Sequence, residues 1–235
     1  MLDCGFTLKE TLSRLARLHV EPERITAVVV THEHGDHVRG VGAFARKFGV
    51  PVWMTAGTWR ACRAQSGAGP LPDIRLFSSH SVFAIGDVQV EPFPVPHDAH
   101  EPAQFVFSDG ARRLGVLTDT GCSTPHIECC LNACDALLLE CNHDRDLLFS
   151  GDYPPSLKER VGGRLGHLDN AASAAILGRL DTSRLTHLVA AHLSEKNNTP
   201  ALARWALASV LGCAESWIGI ADQDRGLGWR ELAAN

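Results

Sequence analysis

The segment 31–37 reads Thr-His-Glu-His-Gly-Asp-His, so three imidazoles and two carboxylates lie within seven residues. It follows the apolar, β-branched run 25–30, which predicts a buried strand with the polar residues on the loop where that strand ends. Imidazole nitrogen and carboxylate oxygen are the ligands that Zn²⁺ and similar divalent ions select. His32 and His34 can address one metal ion, while Asp36 and His37 can turn towards a second. The pattern favours a metal site over a histidine-rich polar loop.

Three further polar residues follow strand-like runs in the same way. They are His97 after the run 88–95, Asp119 after 114–117 and His192 after 185–190. Residues just beyond strand ends can meet in a shared cleft at a sheet edge. His100 and His187 lie nearby and compete for the same roles. The order of the candidates along the chain is stronger evidence than any one of them alone.

The motif His-X-His-X-Asp-His after an apolar strand, with the later His, Asp and His, resembles the signature of the metallo-β-lactamase-fold hydrolases. The resemblance implies an α/β (α+β) fold, the αββα sandwich, as a single domain over residues 1–235. It also implies two divalent metal ions, Zn²⁺ first and Mn²⁺ as the alternative. One ion would be held by His32, His34 and His97, the other by Asp36, His37 and His192, with Asp119 bridging the two.

Two positions favour hydrolysis within this fold. His34 stands where the oxygen-reducing di-iron members carry glutamate, and His37 stands where many true β-lactamases place another residue. The resemblance therefore disfavours both oxygen reduction and antibiotic hydrolysis.

Three later segments, 140–144, 166–170 and 191–200, resemble the WalJ (YycJ) type of bacterial proteins, which are associated with 5′-exonuclease activity on DNA. The resemblance implies a phosphodiester substrate, DNA in the first place, attacked at phosphorus by a metal-bridging hydroxide. Asp36 and His167 are the implied catalytic residues. In the neighbouring phosphoribosyl cyclic phosphodiesterases a non-ligand histidine precedes the last ligand, as His167 precedes His192. His167 is accordingly the candidate general acid, the alternative being a neighbour of the helix cap at Asp169.

Candidate substrate-binding residues are His143, Ser194 and Asn197, whose polar groups could meet phosphate oxygens. For His143 the alternatives are orienting a ligand or facing solvent. For Ser194 and Asn197 the alternative is a polar loop that caps the helix predicted at 200–211. A basic rim for a nucleic-acid backbone is a further possibility, and its members would be Arg145, Lys158, Arg160 and Arg164.

The composition of the chain limits the kinds of partner that it can bind. With 235 residues, 45% hydrophobic, 21% charged and a net charge of −5, the chain has the make-up of an ordinary globular domain. The acidic balance argues against a general nucleic-acid-coating surface, although bound divalent ions would supply positive charge where a phosphate binds. No apolar run reaches the roughly 18 residues of a membrane span, and no secretory signal is present. We expect a cytoplasmic protein with no membrane partner, and the oligomeric state stays open.

The eight cysteines form no disulfide-like framework and are expected to be reduced thiols. Cys129, Cys130, Cys134 and Cys141 cluster in sequence, so a thiolate-bound metal is conceivable. Since no paired CxxC is present, small buried hydrophobic side chains are the preferred interpretation.

Strand and helix patterns alternate without a linker. Helices are predicted at 7–19, 36–48, 55–63, 124–133, 144–150, 155–163, 170–180 and 200–211. Strands are predicted at 25–30, 51–54, 217–221 and 227–232 and several times within 74–117, including a hairpin at 105–110, with a loop at 66–72. The resemblance implies that strands normally precede the turn at Asp3, so we expect either that the fold lacks its first N-terminal strands or that the start at Met1 is not the native one. Asp3 is either a turn residue or an acceptor that holds a ligand histidine.

Three rival functions stay open. A glyoxalase II-like thioesterase shares the motif but usually adds a helical domain after the last ligand, and 235 − 192 = 43 residues follow His192 here. A small cyclic phosphodiesterase is the second rival. A non-enzymatic metal-binding sensor is the third, disfavoured because the ligand set is complete.

Overall fold

The computed structural model describes residues 1–64 and 73–232. The backbone forms two compact units: unit 1 comprises Met1–Ile85 with Ala99–Ala103, and unit 2 comprises Gly86–Asp98 with Gln104–Asn235. Both units combine strands with helices, which confirms the predicted α/β (α+β) class. The predicted loop at 66–72 lies outside the described residues.

Unit 1 is built on a short parallel sheet. Its elements are α1 Leu8–Arg17, β1 Val28–Val29, α2 Gly35–Val38, α3 Val41–Phe48, β2 Val52–Thr55, α4 Ala56–Ala64, β3 Ile74–Phe77 and β4 Phe83–Ile85. The strand order β1-β2-β3 pairs Val28 with Val52 and Val52 with Ile74. Phe44 of α3 packs onto this sheet in the core of the unit. The loop after β1 therefore leaves a buried sheet at the point where the histidine motif begins.

Two predictions for unit 1 need correction. The strand expected at 25–30 shrinks to β1, because Ile25 instead ends a 3-10 turn that starts at Pro22. The helix expected at 36–48 is split into α2 and α3. The split falls at Gly40, whose N–H donates to the Cys4 carbonyl (2.8 Å). A side chain does not fit at this position, because a Cβ would lie 2.0 Å from the Phe6 carbonyl oxygen. Packing of the N-terminal turn thus interrupts the helix.

Unit 2 is a larger sheet with helices. Its elements are β5 Val88–Pro94, β6 Ala103–Ser108, β7 Arg113–Leu117, α5 Pro125–Leu131, β8 Ala136–Glu140, α6 Arg145–Ser150, α7 Pro155–Val161, α8 Asn170–Leu177, β9 His187–Ala191, α9 Pro200–Leu211 and β10 Gly219–Ile220. The predicted hairpin is confirmed as the antiparallel pair β6-β7, turned at Gly110 with φ +91°. Strands β7, β8, β9 and β10 are parallel neighbours. Their carboxyl ends therefore meet at one edge of the sheet, where Asp119, Glu140 and His192 lie.

Local chemistry sets the helix ends in unit 2. Side-chain oxygens cap the N-termini of α5, α6, α8 and α9, and these caps are Thr124, Asp144, Asp169 and Thr199. Helix α9 spans the predicted 200–211 and ends at Gly212 in the left-handed conformation. The core lies between these helices and the sheet, with Phe93, Leu117 and Leu139 fully buried.

The strand predicted at 227–232 is wrong, because those residues form no regular element. Gly226 closes a turn with Asp222, and the segment beyond it stays largely exposed, with Trp229 at 72% exposure. With its side chains largely in solvent, this segment gains little burial from joining a sheet. In the described ranges, no helix has the length and apolar character needed to cross a membrane. All eight cysteines, which fall in those ranges, are free thiols as predicted.

Replacing Gly5 by alanine is expected to destabilise the fold. A Cβ at this position would lie 1.5 Å from the backbone oxygen of Asp36, and no side-chain rotation relieves a backbone clash. We expect the free energy of unfolding in urea to fall by about 1–3 kcal/mol or more, as for overpacked sites. Gly228→Ala is the matched control, since a Cβ there meets nothing within 4 Å. Equal stability of the two variants would contradict the packing described for the N-terminal turn.

Candidate functional site

The three histidines of the motif come together in unit 1, His32 and His34 on the loop before α2 and His37 within α2. The ring centroids of His32 and His34 are 4.5 Å apart, and those of His32 and His37 are 4.2 Å apart. His32 and His37 are buried, while His34 is half-buried. Sequence spacing paired His32 with His34 and His37 with Asp36, and the structure brings all three rings together.

Asp3 holds this group of histidines in place through hydrogen bonds. Its Oδ1 accepts the Thr31 backbone N–H at 2.8 Å, and its Oδ2 accepts from His37 Nδ1 at 2.8 Å and from the Thr31 hydroxyl at 2.9 Å. Because the Thr31 hydroxyl gives its only hydrogen to Asp3, its oxygen accepts from His32 Nδ1, 2.9 Å away. One carboxylate thus fixes the tautomers of two histidines. Asp3 accepts from His37, as one of its two predicted roles requires, and the role of His37 as a ligand stays a prediction.

Asp36 differs from the histidines in its exposure. It lies in the first turn of α2 with its side chain 68% exposed, and its Oδ2 is 3.6 Å from His37 Nε2. The carboxylate therefore lies beside the nitrogen of His37 that faces away from Asp3. This placement suits a metal ligand, and the catalytic assignment of Asp36 stays a prediction.

Unit 2 gathers a second set of ligand groups at the carboxyl edge of its sheet. One ligand atom from each of Asp119, Glu140, His167 and His192 lies within 4.8 Å of the others. Asp119 Oδ1 is 3.5 Å from His192 Nδ1 and 3.7 Å from His167 Nδ1. Asp119 and His192, predicted as metal ligands, are thus neighbours of the predicted general acid.

Glu140 is the centre of this set, and sequence reasoning gave it no role. Its side chain is fully buried, and Oε1 accepts from His167 Nδ1 at 2.8 Å and from His192 Nδ1 at 3.0 Å. Oε2 accepts the Thr120 backbone N–H at 3.0 Å. Burial by itself would raise the pKa of Glu140, but the hydrogen bonds from the two histidines outweigh it and lower the pKa to about 2. The signal that could have found Glu140 is a lone carboxylate ending the apolar strand β8.

His97 joins the second set from the end of β5. Its Nδ1 donates to the Gly166 carbonyl (3.0 Å), and its Nε2 is 4.0 Å from Asp119 Oδ1. Burial, the largest cause, lowers the pKa of His97 and favours the neutral ring that metals bind. The competitors are engaged elsewhere: in unit 1 His100 pairs with Glu33 at 2.6 Å, and His187 bonds the Glu231 carbonyl at 3.0 Å.

The three predicted substrate-binding residues differ in burial and in their hydrogen-bond partners. His143 is buried, so the alternative that it faces solvent is wrong, and burial lowers its pKa. Ser194 accepts the Asn197 backbone N–H (3.2 Å) and lines a cavity of about 320 Å³ together with His192. Asn197 is only 2% exposed, and no described residue accepts from its Nδ2. The cap of α9 is Thr199, so neither Ser194 nor Asn197 serves that purpose.

Three residues of these sets have backbone conformations that L-residues rarely adopt. Asp3, Asp119 and His192 have φ values of +51°, +51° and +57°. Such conformations cost about 1–3 kcal/mol each and persist where surrounding contacts enforce them. Each of the three follows or faces a strand end, where the turn aims its side chain into a ligand group.

The arrangement fits divalent metal ions. His32, His37, His97 and His192 each hold a protein acceptor at Nδ1, namely Thr31, Asp3, the Gly166 carbonyl and Glu140. A neutral imidazole that donates from Nδ1 carries its lone pair on Nε2. Metal-binding histidines are held in this manner, with an acceptor that fixes ring and tautomer. Both units therefore present the donor chemistry of divalent metal sites.

Comparison with known proteins agrees with this chemistry. A family model described as "Beta-lactamase superfamily domain" matches residues 1–189. "Exodeoxyribonuclease YycJ" of Bacillus anthracis is 35% identical over 211 residues, which cover 90% of this chain and 80% of that protein. "Exodeoxyribonuclease WalJ" of Streptococcus pneumoniae serotype 2 (strain D39 / NCTC 7466) is 33% identical over 222 residues, or 94% and 82%. The crystal structure of the metallo-β-lactamase fold protein YhfI from Bacillus subtilis superposes with a TM-score of 0.72 at 18% identity, covering 97% of this chain and 85% of that one.

Replacing Glu140 by glutamine is expected to weaken metal binding. The amide cannot accept from both histidines and the Thr120 N–H without turning a donor towards one of them, so the rings lose their fixed tautomer. We expect zinc affinity, measured by competition with a chromogenic chelator, to fall about 10–100-fold. Glu128→Gln on α5, whose carboxylate pairs with Arg179, is the matched control. Unchanged zinc affinity in a folded Glu140→Gln protein would show that Glu140 does not support metal binding.

Proposed function

We propose that this chain, which belongs to the metallo-β-lactamase superfamily and to its WalJ/YycJ group, removes nucleotides from the 5′ end of DNA. The family is one of metal-dependent hydrolases, and the two named relatives are called exodeoxyribonucleases. The observation that carries the proposal is the set of histidines whose Nδ1 atoms are tied to protein acceptors. Such a set of histidines suits divalent ions. The names of the two relatives favour phosphodiester hydrolysis as the reaction.

The proposed ligand assignment follows the family pattern. Two ions would be held, the first by His32, His34 and His97 and the second by Asp36, His37 and His192, with Asp119 common to both. Zn²⁺ suits this nitrogen-rich set best, and Mn²⁺ is the alternative.

The ions, when bound, would act as Lewis acids that activate water and offset phosphate charge. The chain's own contribution begins with Glu140, which holds His167 and His192 through their Nδ1 atoms. Because His167 Nδ1 donates to Glu140, a proton for the leaving oxygen has to come from His167 Nε2. His167 thus remains the proposed general acid.

Contacts with the substrate are proposed for three residues. Ser194 is half-buried and shares the 320 Å³ cavity with His192, so its hydroxyl hydrogen can donate to a phosphate oxygen. Asn197 and His143 are buried, and we propose that they shape the loops around His192 and His167 as well as contact substrate. The Asn142 Nδ2 atom, which donates to the His192 carbonyl at 3.0 Å, supports this arrangement.

The activity is tested with end-labelled, 5′-phosphorylated DNA and protein loaded with Zn²⁺ or Mn²⁺. We expect stepwise loss of nucleotides from the 5′ end and no turnover by His34→Ala, which lacks a ligand at the motif. His80→Ala, an exposed histidine of unit 1, is the matched control and should retain activity. Intact DNA after incubation with folded, metal-loaded protein would refute the proposal, and hydrolysis of a small cyclic phosphodiester or a thioester instead would replace it.

The role of His167 is tested separately. We expect His167→Ala to lower kcat about 10²–10⁴-fold while the number of bound metal ions per chain stays that of the wild type. His187→Ala, which alters a histidine of the same unit outside the ligand set, should leave both quantities unchanged. Loss of one metal ion from His167→Ala would make the residue a ligand, and an unchanged rate would remove it from the chemistry.

A further inference from the structure

One exposed aromatic ring, one half-buried ring and three cations lie close together in unit 2. This surface, the α6–α7 surface, is formed by Arg145, Phe149, Tyr153, Lys158 and Lys196. Phe149 is 44% exposed and Tyr153 is half-buried, so each ring leaves part of its surface open to a partner. The sequence predicted a purely basic rim here, whereas the structure adds aromatic rings to it.

Each ring on the α6–α7 surface has a cation close to its face. The Arg145 guanidinium carbon lies 5.1 Å from the centroid of the Phe149 ring, and Lys196 Nζ lies 5.7 Å from that of Tyr153. Lys158 Nζ donates to the Phe149 carbonyl at 2.8 Å, so a second cation lies beside the same residue. A ring can stack on a nucleobase while the adjacent cation meets the phosphate of that nucleotide.

Two of the loops that carry ligand residues contact this region. Next to His97, the Asp98 N–H donates to the Leu165 carbonyl (3.0 Å), and the Asp98 Oδ2 accepts from Arg160 Nε (2.6 Å). Beyond Asp119, Gly121 lies so close to Arg164 that a Cβ would come within 2.4 Å of its carbonyl oxygen. These contacts join the end of α7, the helix that carries Lys158, and the segment after it to the loops of His97 and Asp119.

The loop after His192 makes a third connection. The Asn197 carbonyl accepts the N–H of Asp144, the cap of α6, at 2.8 Å. Lys196 precedes Asn197, so this hydrogen bond fixes the backbone from which the lysine side chain reaches Tyr153. A strand lying along α6 would thus lead towards His192.

The rings favour a single strand over a duplex. A net charge of −5 gives the chain no long-range attraction for either form of DNA, and the base faces of a duplex are hidden by stacking. In a single strand the base faces are available to rings such as Phe149 and Tyr153. We propose that the α6–α7 surface binds single-stranded DNA and leads it to the ligand set of unit 2, an inference that rests on the proposed nuclease function.

The test separates binding from chemistry by working without metal. Anisotropy of a fluorescent oligothymidylate, long enough to exceed a site of about 4–16 nucleotides, is measured in EDTA for the whole chain and its variants. We expect Phe149→Ala and Tyr153→Ala each to weaken binding about ten-fold, as for loss of a stacked base. Lys196→Gln should lower the slope of log K against log salt by about 0.7. Trp229→Ala and Lys47→Gln are the matched controls, an exposed ring and a cation outside the surface.

The outcomes are decisive for the α6–α7 surface. Wild-type binding by both ring variants, no binding by the wild type, or tighter binding of a duplex or of oligouridylate would overturn the proposal. Absence of DNA cleavage by the metal-loaded wild type would sink the nuclease function instead, so the two failures are distinguishable.

Discussion

A carboxylate with no access to water, at the end of β8, is the constraint on which unit 2 depends. A buried charge costs several kcal/mol unless hydrogen bonds replace its hydration. Glu140 obtains them from three donors: the Thr120 backbone N–H just after β7, His192 just after β9, and His167 on the loop between α7 and α8. The parallel order of β7, β8 and β9 brings Thr120 and His192 to the edge where Glu140 ends β8. The fold therefore fixes ring positions and tautomers before any ion binds, and the affinity for metal is prepared in the protein itself.

In unit 1 a smaller set of hydrogen bonds fixes the histidine rings. Asp3, at a positive φ, accepts from His37 and Thr31, and the Thr31 hydroxyl in turn accepts from His32. The strained backbone at Asp3 is offset by these hydrogen bonds, because moving the residue to a relaxed conformation would break them. Close packing of Gly5 against Asp36 keeps the N-terminal turn in contact with the motif. In both units a carboxylate outside the predicted ligand set determines where the ligands point.

Much of this could be predicted from the sequence, because the signals are local. Residue type and spacing gave the histidines of 31–37, and strand periodicity placed Asp119 and His192 at strand ends. The role of Glu140 could not be predicted, since its partners lie 27 and 52 residues away and a terminal glutamate of a strand looks like any surface carboxylate. The break of the helix at Gly40 escaped for the same reason: it comes from Cys4 and Phe6, more than thirty residues earlier. Long-range packing, rather than propensity, decides such features.

The central claim is that histidines anchored at Nδ1 hold two divalent ions through Nε2. A crystal structure of the zinc-loaded protein, with anomalous maps recorded on both sides of the zinc edge, tests it most directly. We expect two zinc peaks per chain, with His32, His37, His97 and His192 bound through Nε2 and with Glu140 and Asp3 still bonded to Nδ1. A single peak, coordination of any of these four histidines through Nδ1, or zinc bound by Glu140 in place of Asp119 would refute the anchoring.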